Sequence, residues 1–194
     1  MEKIYLDHNA TTPLHPEVLE AMLPVLRENF GNPSSVHSFG RSVRVQLDEA
    51  REKVAKLIGA HSSEIIFTSG GTEANNFALL GVSLMDKKKH IITSKVEHPS
   101  VLNPCRQLEE QGIEVFYLDV DCDGRIDVNE LESRITQSTS LISLQHANSE
   151  TGVLQDIQRV SDIARKKRVL FHTDAVQSVA KVPFNLKKFP VDML

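Results

Sequence analysis

Four short runs hold most of the chemistry this sequence could perform: Ser69 to Thr72, Ser94 to His98, Gln145 to Glu150 and Asp174 to Gln177. In the first run, Gly70 and Gly71 let the backbone come close to a ligand, and Gly71-Thr72 could open a helix whose free N–H groups attract a phosphate. A tight turn with Ser69 or Thr72 as the cap is the plain alternative. The run is neither a GxGxxG nor a Walker loop. In the second run, His98 suits acid–base work or stacking on an aromatic ligand; a surface histidine at a helix start is the competing reading. In the last run, Asp174 could pair with a ring nitrogen and hold it protonated. His172 and Asp174 share one strand face, which suits metal ligation, but no third or fourth ligand is evident and no metal site is expected.

Two other features invite chemistry. Asp119 to Glu130 (DVDCDGRIDVNE) matches an EF-hand calcium loop, with Gly124 at the sixth position and Glu130 at the twelfth. The preceding IEVFYL is rich in β-branched and aromatic residues and predicts a strand, where an EF-hand needs a helix. A polar turn with Asp127 capping the next helix is therefore expected. Cys105 lies in a helical pattern after His98 and reads as a buried, inert thiol. Cys122 belongs to the acidic turn.

These runs need elements to position them. The first dozen residues read as an extended arm, and Val18, Ala21, Met22, Val25 and Leu26 then line one helix face. After Gly31-Asn32-Pro33-Ser34, a longer helix carries Val43, Leu47, Ala50, Val54, Leu57 and Ile58 to a Gly59 cap. Glu64–Thr68 (EIIFT) predicts a short strand, followed by a helix through Leu84. Strands are then expected at His90–Thr93, Ile113–Leu118, Ser140–Leu144 and Arg168–Thr173. Helices are expected at His98–Gln111, Val128–Ile135 and Ile157–Lys167.

Strands alternating with helices imply crossovers and a mainly parallel sheet covered on both faces, an α/β three-layer fold. The apolar runs IIF and LISL fit strands buried on both sides. In such sheets ligands sit beyond the carboxyl ends of the strands. The four chemical runs all fall there.

Composition limits the function classes. The 194 residues are 40% hydrophobic and 25% charged, with 22 basic and 26 acidic residues and a formal net charge of -4. No basic field suits nucleic acid or an anionic membrane, and Lys87-Lys88-Lys89 with His90 reads as a solvated turn. The opening MEKIYLDHNA has no apolar stretch, so no signal peptide is expected, and no run of apolar residues predicts a membrane span. Two cysteines make no disulfide framework, which suits a reducing cytoplasm.

Taken in order, the motifs resemble the cysteine desulfurase (NifS-like) branch of the class V aminotransferase-like pyridoxal-phosphate (PLP) enzymes. The matching residues are Tyr5-Leu6-Asp7 with Ala10-Thr11-Thr12-Pro13, Phe30-Gly31-Asn32-Pro33-Ser34-Ser35 and Phe67 to Asn76. They continue with Glu97-His98, Asn148 with Glu150-Thr151-Gly152, and His172 to Ser178. The resemblance implies the fold type I large domain over residues 16–194, truncated, with residues 1–15 an arm that belongs to the small domain. It implies that Gly71 and Thr72 hold the PLP phosphate, that His98 stacks on the ring and assists proton transfer, that Asp174 pairs with the ring nitrogen and that Gln177 bonds the phenolic oxygen. The family usually has Asn-Asn-Glu where this chain has Asn148-Ser149-Glu150, so either Asn148 or Ser149 makes that cofactor contact.

The resemblance also implies L-cysteine as substrate, a homodimer partner that completes the phosphate site, and a sulfur-acceptor protein. The family's covalent lysine lies in a Ser-x-His-Lys motif after a Val-Asp-hydrophobic segment, here Val191-Asp192-Met193-Leu194. No lysine of this chain lies in such a motif; Lys95 matches the stretch before the histidine. The family's persulfide cysteine lies further on, and neither Cys105 nor Cys122 is its equivalent. The 194 residues alone are expected to be an inactive piece. A sister PLP enzyme, such as a selenocysteine lyase, and a non-catalytic remnant of the fold are the alternatives.

Overall fold

The computed structural model describes residues 3–85 and 88–194, so Met1 and Glu2 of the expected arm and Lys87 of the expected basic turn lie outside the described residues. The chain divides into two units, Met1–Ile66 and Phe67–Leu194. In the first unit, α1 (Pro16–Glu28) starts on a proline, whose missing N–H costs nothing in a first turn. Helix α2 (Ser38–Ile58) ends where Gly59 takes a left-handed φ of 79°, and the Gly59 N–H bonds the Ala55 carbonyl.

The strand expected at Glu64–Thr68 does not form. Ser62–Glu64 is instead a 3-10 turn closed by a capping box: His61 Nδ1 accepts the Ser63 N–H, and the Glu64 carboxylate accepts the His61 N–H at 2.7 Å. Ile65 is extended, with φ -92° and ψ 123°, yet among the described residues no strand pairs with this segment. Ile66 is 65% exposed and Phe67 46%. A β-rich composition supplies shape, but a ladder needs a neighbour.

The second unit alternates helix and strand: α3 (Gly71–Met85), β1 (His90–Ser94), α4 (Pro99–Glu110), β2 (Glu114–Leu118), α5 (Val128–Arg134), β3 (Thr139–Ser143), α6 (Ile157–Lys167) and β4 (Leu170–His172). The four strands form one parallel sheet in the order β2-β1-β3-β4. The register sets Ile92 beside Phe116 and Ile142, and Ile142 beside Phe171. Every residue of β1 and β3 is buried, because helices cover both faces.

Alternation along the strands sorts the core into two layers. Ile92, Ile142, Leu144 and Phe171 pack with Leu131 of α5 and with Val160 and Ile163 of α6. Ile91 and Leu141 pack on the other face with Leu79 and Val82 of α3 and with Val101, Cys105 and Leu108 of α4. Strand β4 is shorter than expected because Arg168 caps α6 in the left-handed region, at φ 56°. The outer side of β4 is paired at its end: the Thr173 N–H bonds the Met193 carbonyl at 3.0 Å.

Phe171 is almost fully buried, whereas Ile66 is mostly exposed. Phe171→Ala is expected to lower the unfolding free energy by about 3–5 kcal/mol. Ile66→Ala is expected to change it by less than about 0.5 kcal/mol. Urea denaturation of the two variants measures both, and a large loss for Ile66→Ala would restore the buried-strand reading of Glu64–Thr68.

Candidate functional site

Helix α3 begins at Gly71, directly after Ser69-Gly70. The Glu73 carboxylate accepts both the Ser69 N–H and the Ser69 hydroxyl at 2.6 Å, which pins the turn. Those bonds, the hydroxyl's first, hold the Glu73 carboxyl below its ordinary pKa. A Cβ at Gly71 would lie 2.8 Å from Val176 Cγ2, so glycine lets this helix start approach the turn after β4. The first-turn N–H groups, those of Gly71 and Thr72 among them, have no intrahelical acceptor.

His98 leaves β1 through Lys95-Val96-Glu97 and caps α4. Its Nδ1 accepts the Ser100 N–H at 3.1 Å and lies 2.7 Å from the Ser100 hydroxyl. His98 as a residue is exposed. Asp174 follows β4, where its Oδ1 accepts the Val176 N–H at 3.0 Å and its Oδ2 accepts a hydrogen from Asn75 Nδ2 at 2.8 Å. Its backbone carbonyl takes the His146 N–H at 2.9 Å, which ties the ends of β3 and β4 together.

Asn75 is the residue whose role the motif reading missed. It is 3% exposed and donates from Nδ2 to Ser100 Oγ as well as to Asp174, both at 2.8 Å. The signal was present: Asn75 lies four and seven residues before Leu79 and Val82, on the stripe of α3 that faces the core. A polar residue on that stripe must find partners.

The loop after β3 is built on Asn148. Its Oδ1 accepts the N–H groups of Glu150 and Thr151, both at 2.9 Å, and the Thr151 hydroxyl at 3.1 Å. Its Nδ2 donates to the Val96 carbonyl at 3.1 Å. Ser149 sits half-buried within this turn. Gln177 lies three residues beyond Asp174, and its Oε1 accepts from Lys181 Nζ at 2.5 Å. Bonds and close contacts thus join Gly71, His98, Asn148 and Asp174, through their neighbours, at the carboxyl ends of β1, β3 and β4. Thr72, Ser149 and Gln177 stand beside them in sequence.

Beneath this surface lie two buried ionisable groups. Glu97 accepts the Ser94 hydroxyl at 2.6 Å and the Gln145 N–H at 2.9 Å, linking the ends of β1 and β3. Burial pushes its carboxyl up to about 8, and the nearby Asp174 charge adds to the rise. His172 bonds Ser143 Oγ at 2.8 Å, and burial pushes its imidazole down to about 4.

The remaining candidates have structural employment. Lys95 pairs with Asp119 at 2.6 Å on the surface. Cys105 is buried against α3 and β1, and its thiol is pushed up to about 12 by burial. In the acidic turn, Asp121 Oδ1 accepts the N–H groups of Asp123 and Arg125, Asp127 caps α5 and Glu130 pairs with Arg134. A strand, not a helix, enters the turn. Among the described residues, no group of three or more His, Cys, Asp or Glu side chains gathers as metal ligands.

A parallel sheet with its polar side chains gathered at the strand ends is the architecture of a three-layer α/β enzyme domain. Residues 4–194 match the aminotransferase class-V family, and the chain belongs to it. It is 55% identical to cysteine desulfurase IscS of Dictyoglomus turgidum, over 99% of this chain and 49% of that one. It is 48% identical to cysteine desulfurase IscS of Methanosarcina thermophila, over 98% of this chain and 48% of that one. A solved NifS-like protein superposes with a TM-score of 0.95 at 41% identity, covering 98% of this chain and 53% of the other. SspA, solved in complex with cysteine, superposes with a TM-score of 0.92 at 38% identity, over 97% of this chain and 55% of the other. The chain spans about half the length of the curated relatives it matches. The fold expected from the sequence is the fold of these structures.

Glu97 gives the site a pH signature. Its native carboxyl holds its proton up to about 8, while the unfolded chain releases it near 4.5. Stability from this group is therefore full at low pH and is lost as pH rises through 8. His172 works the other way, losing stability as pH falls from 6.5 towards 4. Above pH 6.5 the His172 contribution levels off while that of Glu97 continues to fall. Glu97→Gln is expected to gain on the native protein by on the order of a few kcal/mol as pH rises from 6.5 to 8.5. Urea melts of both proteins across that range measure it, and parallel pH profiles would refute it.

Proposed function

We propose that these residues serve a PLP-dependent cysteine desulfurase, which converts L-cysteine to L-alanine and passes the sulfur to an enzyme cysteine as a persulfide. The observation that carries this reading is the joint placement of Gly71, at the start of α3 against the turn after β4, with His98 and Asp174 beyond the ends of β1 and β4. Their chemistry suits the cofactor's parts. First-turn N–H groups of Gly71 and Thr72 suit its phosphate. Each Asp174 carboxylate oxygen accepts one bond and keeps a lone pair for a protonated ring nitrogen. The ring of His98, an exposed residue, offers a flat face for stacking. Asn148, Ser149 and Gln177 supply the remaining polar edge.

When bound, PLP supplies an electron sink for the carbon that bears the substrate's amino group. The residues here do the rest of the local work: α3 anchors an anion, Asp174 keeps a ring nitrogen protonated, and His98 holds or moves a proton at its outward nitrogen. The desulfurase names of the relatives, and cysteine in the SspA complex, support L-cysteine as the substrate. A homodimer partner, a sulfur-acceptor protein and a cytoplasmic setting complete the proposal. No helix among the described residues is long and apolar enough to cross a membrane.

PLP titrated into the 194-residue chain, followed by its absorbance, is expected to bind. Asp174→Ala is expected to weaken binding by about tenfold or more, a loss of at least ~1.4 kcal/mol. No binding to a chain that keeps its circular dichroism spectrum would overturn the cofactor assignment. With PLP, L-cysteine and a dithiol reductant the 194 residues are expected to release no sulfide, because none of their lysines lies in a Ser-x-His-Lys motif. Sulfide release by them would refute that division of labour. With a dithiol present to reduce the persulfide, sulfide and alanine in equal amounts are expected from a longer chain that carries both the motif and the persulfide cysteine.

A further inference from the structure

Asp174, Asn75, Ser100 and His98 form one unbroken chain of hydrogen bonds that crosses from the end of β4, through α3, to the cap of α4. We infer that this chain has a single direction, that it fixes His98 with its ring proton on Nε2, and that Asn75 and Ser100 are positioning residues for the site.

The direction follows from donor and acceptor bookkeeping. An ionised Asp174 can only accept. Asn75 must therefore turn its NH₂ towards Oδ2, 2.8 Å away, since a flipped amide would set two oxygens against each other at that distance. The second Nδ2 hydrogen then points at Ser100 Oγ, also at 2.8 Å, so the hydroxyl accepts there. Its own proton must go elsewhere, and His98 Nδ1 stands 2.7 Å away. The Ser100 N–H reaches the same nitrogen at 3.1 Å. Nδ1 has one in-plane lone pair and two donors facing it, so it carries no proton in the neutral ring. That proton sits on Nε2.

Burial makes the chain hard to rearrange. Asn75 is 3% exposed and Ser100 7%, so water cannot substitute for a lost partner. Glu97, the other carboxyl near Asp174, faces Ser94 and Gln145 and makes no bond within the chain. The consequence lies at the surface. His98 presents a donor, not an acceptor, to whatever occupies the strand ends, so an acceptor atom is favoured at that spot. Only this bearing on cofactor binding rests on the proposed function; the direction of the chain does not.

Long-range proton–nitrogen NMR of the full chain labelled with ¹⁵N-histidine, recorded with the rings neutral, tests the assignment. His98 peaks are identified by their loss in His98→Gln. The expected pattern is a pyrrole-type Nε2 and a pyridine-type Nδ1. Ser100→Ala is expected to move the Nδ1 signal towards that of an unbonded pyridine-type nitrogen, and Ser100→Thr to restore it. PLP affinity is expected to fall several-fold in Ser100→Ala and to return in Ser100→Thr. A protonated Nδ1 in the unsubstituted chain, or an unmoved Nδ1 signal in Ser100→Ala, would overturn the inference. Should Ser100→Ala fail to fold, the unsubstituted chain's pattern decides. The expected NMR pattern without PLP binding would sink the proposed function and leave the relay standing.

Discussion

Beyond the carboxyl ends of a parallel sheet the ladder no longer holds the chain, and the connecting segments tend towards looser order. In this chain one buried amide counters that tendency. Asn75 reaches from the core-facing stripe of α3 to Asp174 after β4 and to Ser100 in the first turn of α4. Three elements that are distant in sequence are thereby held at fixed separation, with neither amide hydrogen left over. Replacing it by an apolar residue would strand a carboxylate and a hydroxyl, so the cost would exceed that of the bonds themselves.

A second tier of bonds lies around this amide. Glu97 holds the Gln145 N–H, and Gln145 and Asn148 both donate to the Val96 carbonyl. The ends of β1 and β3 are thus stitched by side chains where the ladder stops. The cost is a carboxyl buried in low dielectric, which keeps its proton to about 8. Such an arrangement makes the scaffold of the site itself sensitive to pH, separately from any group that meets a ligand.

Much of this was legible in the sequence, for a physical reason. Helix and strand periods are local, so α4, β1, α6 and β3 fell close to their expected bounds, and the rule that ligands gather at strand ends picked out His98 and Asp174. What failed was non-local. EIIFT has the composition of a strand, but composition cannot supply the neighbour that a ladder requires. Asn75 falls inside a motif that gives it no role, because a mid-helix asparagine looks like a weak helix former until its place on the apolar stripe of α3 is considered. The acidic turn shows the converse. Its twelve-residue pattern suits calcium, yet Asp121, Asp127 and Glu130 are each spent on a local bond.

The Asn148-Ser149 pair shows how geometry narrows a choice that spacing leaves open. Either residue could reach a ligand by sequence alone. In the fold, the Asn148 carbonyl oxygen already accepts from three donors, and one of its two amide hydrogens goes to Val96. Gly152, at a φ of 73°, closes the same turn by donating to the Asn148 backbone carbonyl. Asn148 therefore acts first as the frame of residues 148–152, with a single N–H left to offer outward. A serine after it is then a coherent substitution. The frame of the turn is carried by Asn148, and Ser149 stands half-buried beside it.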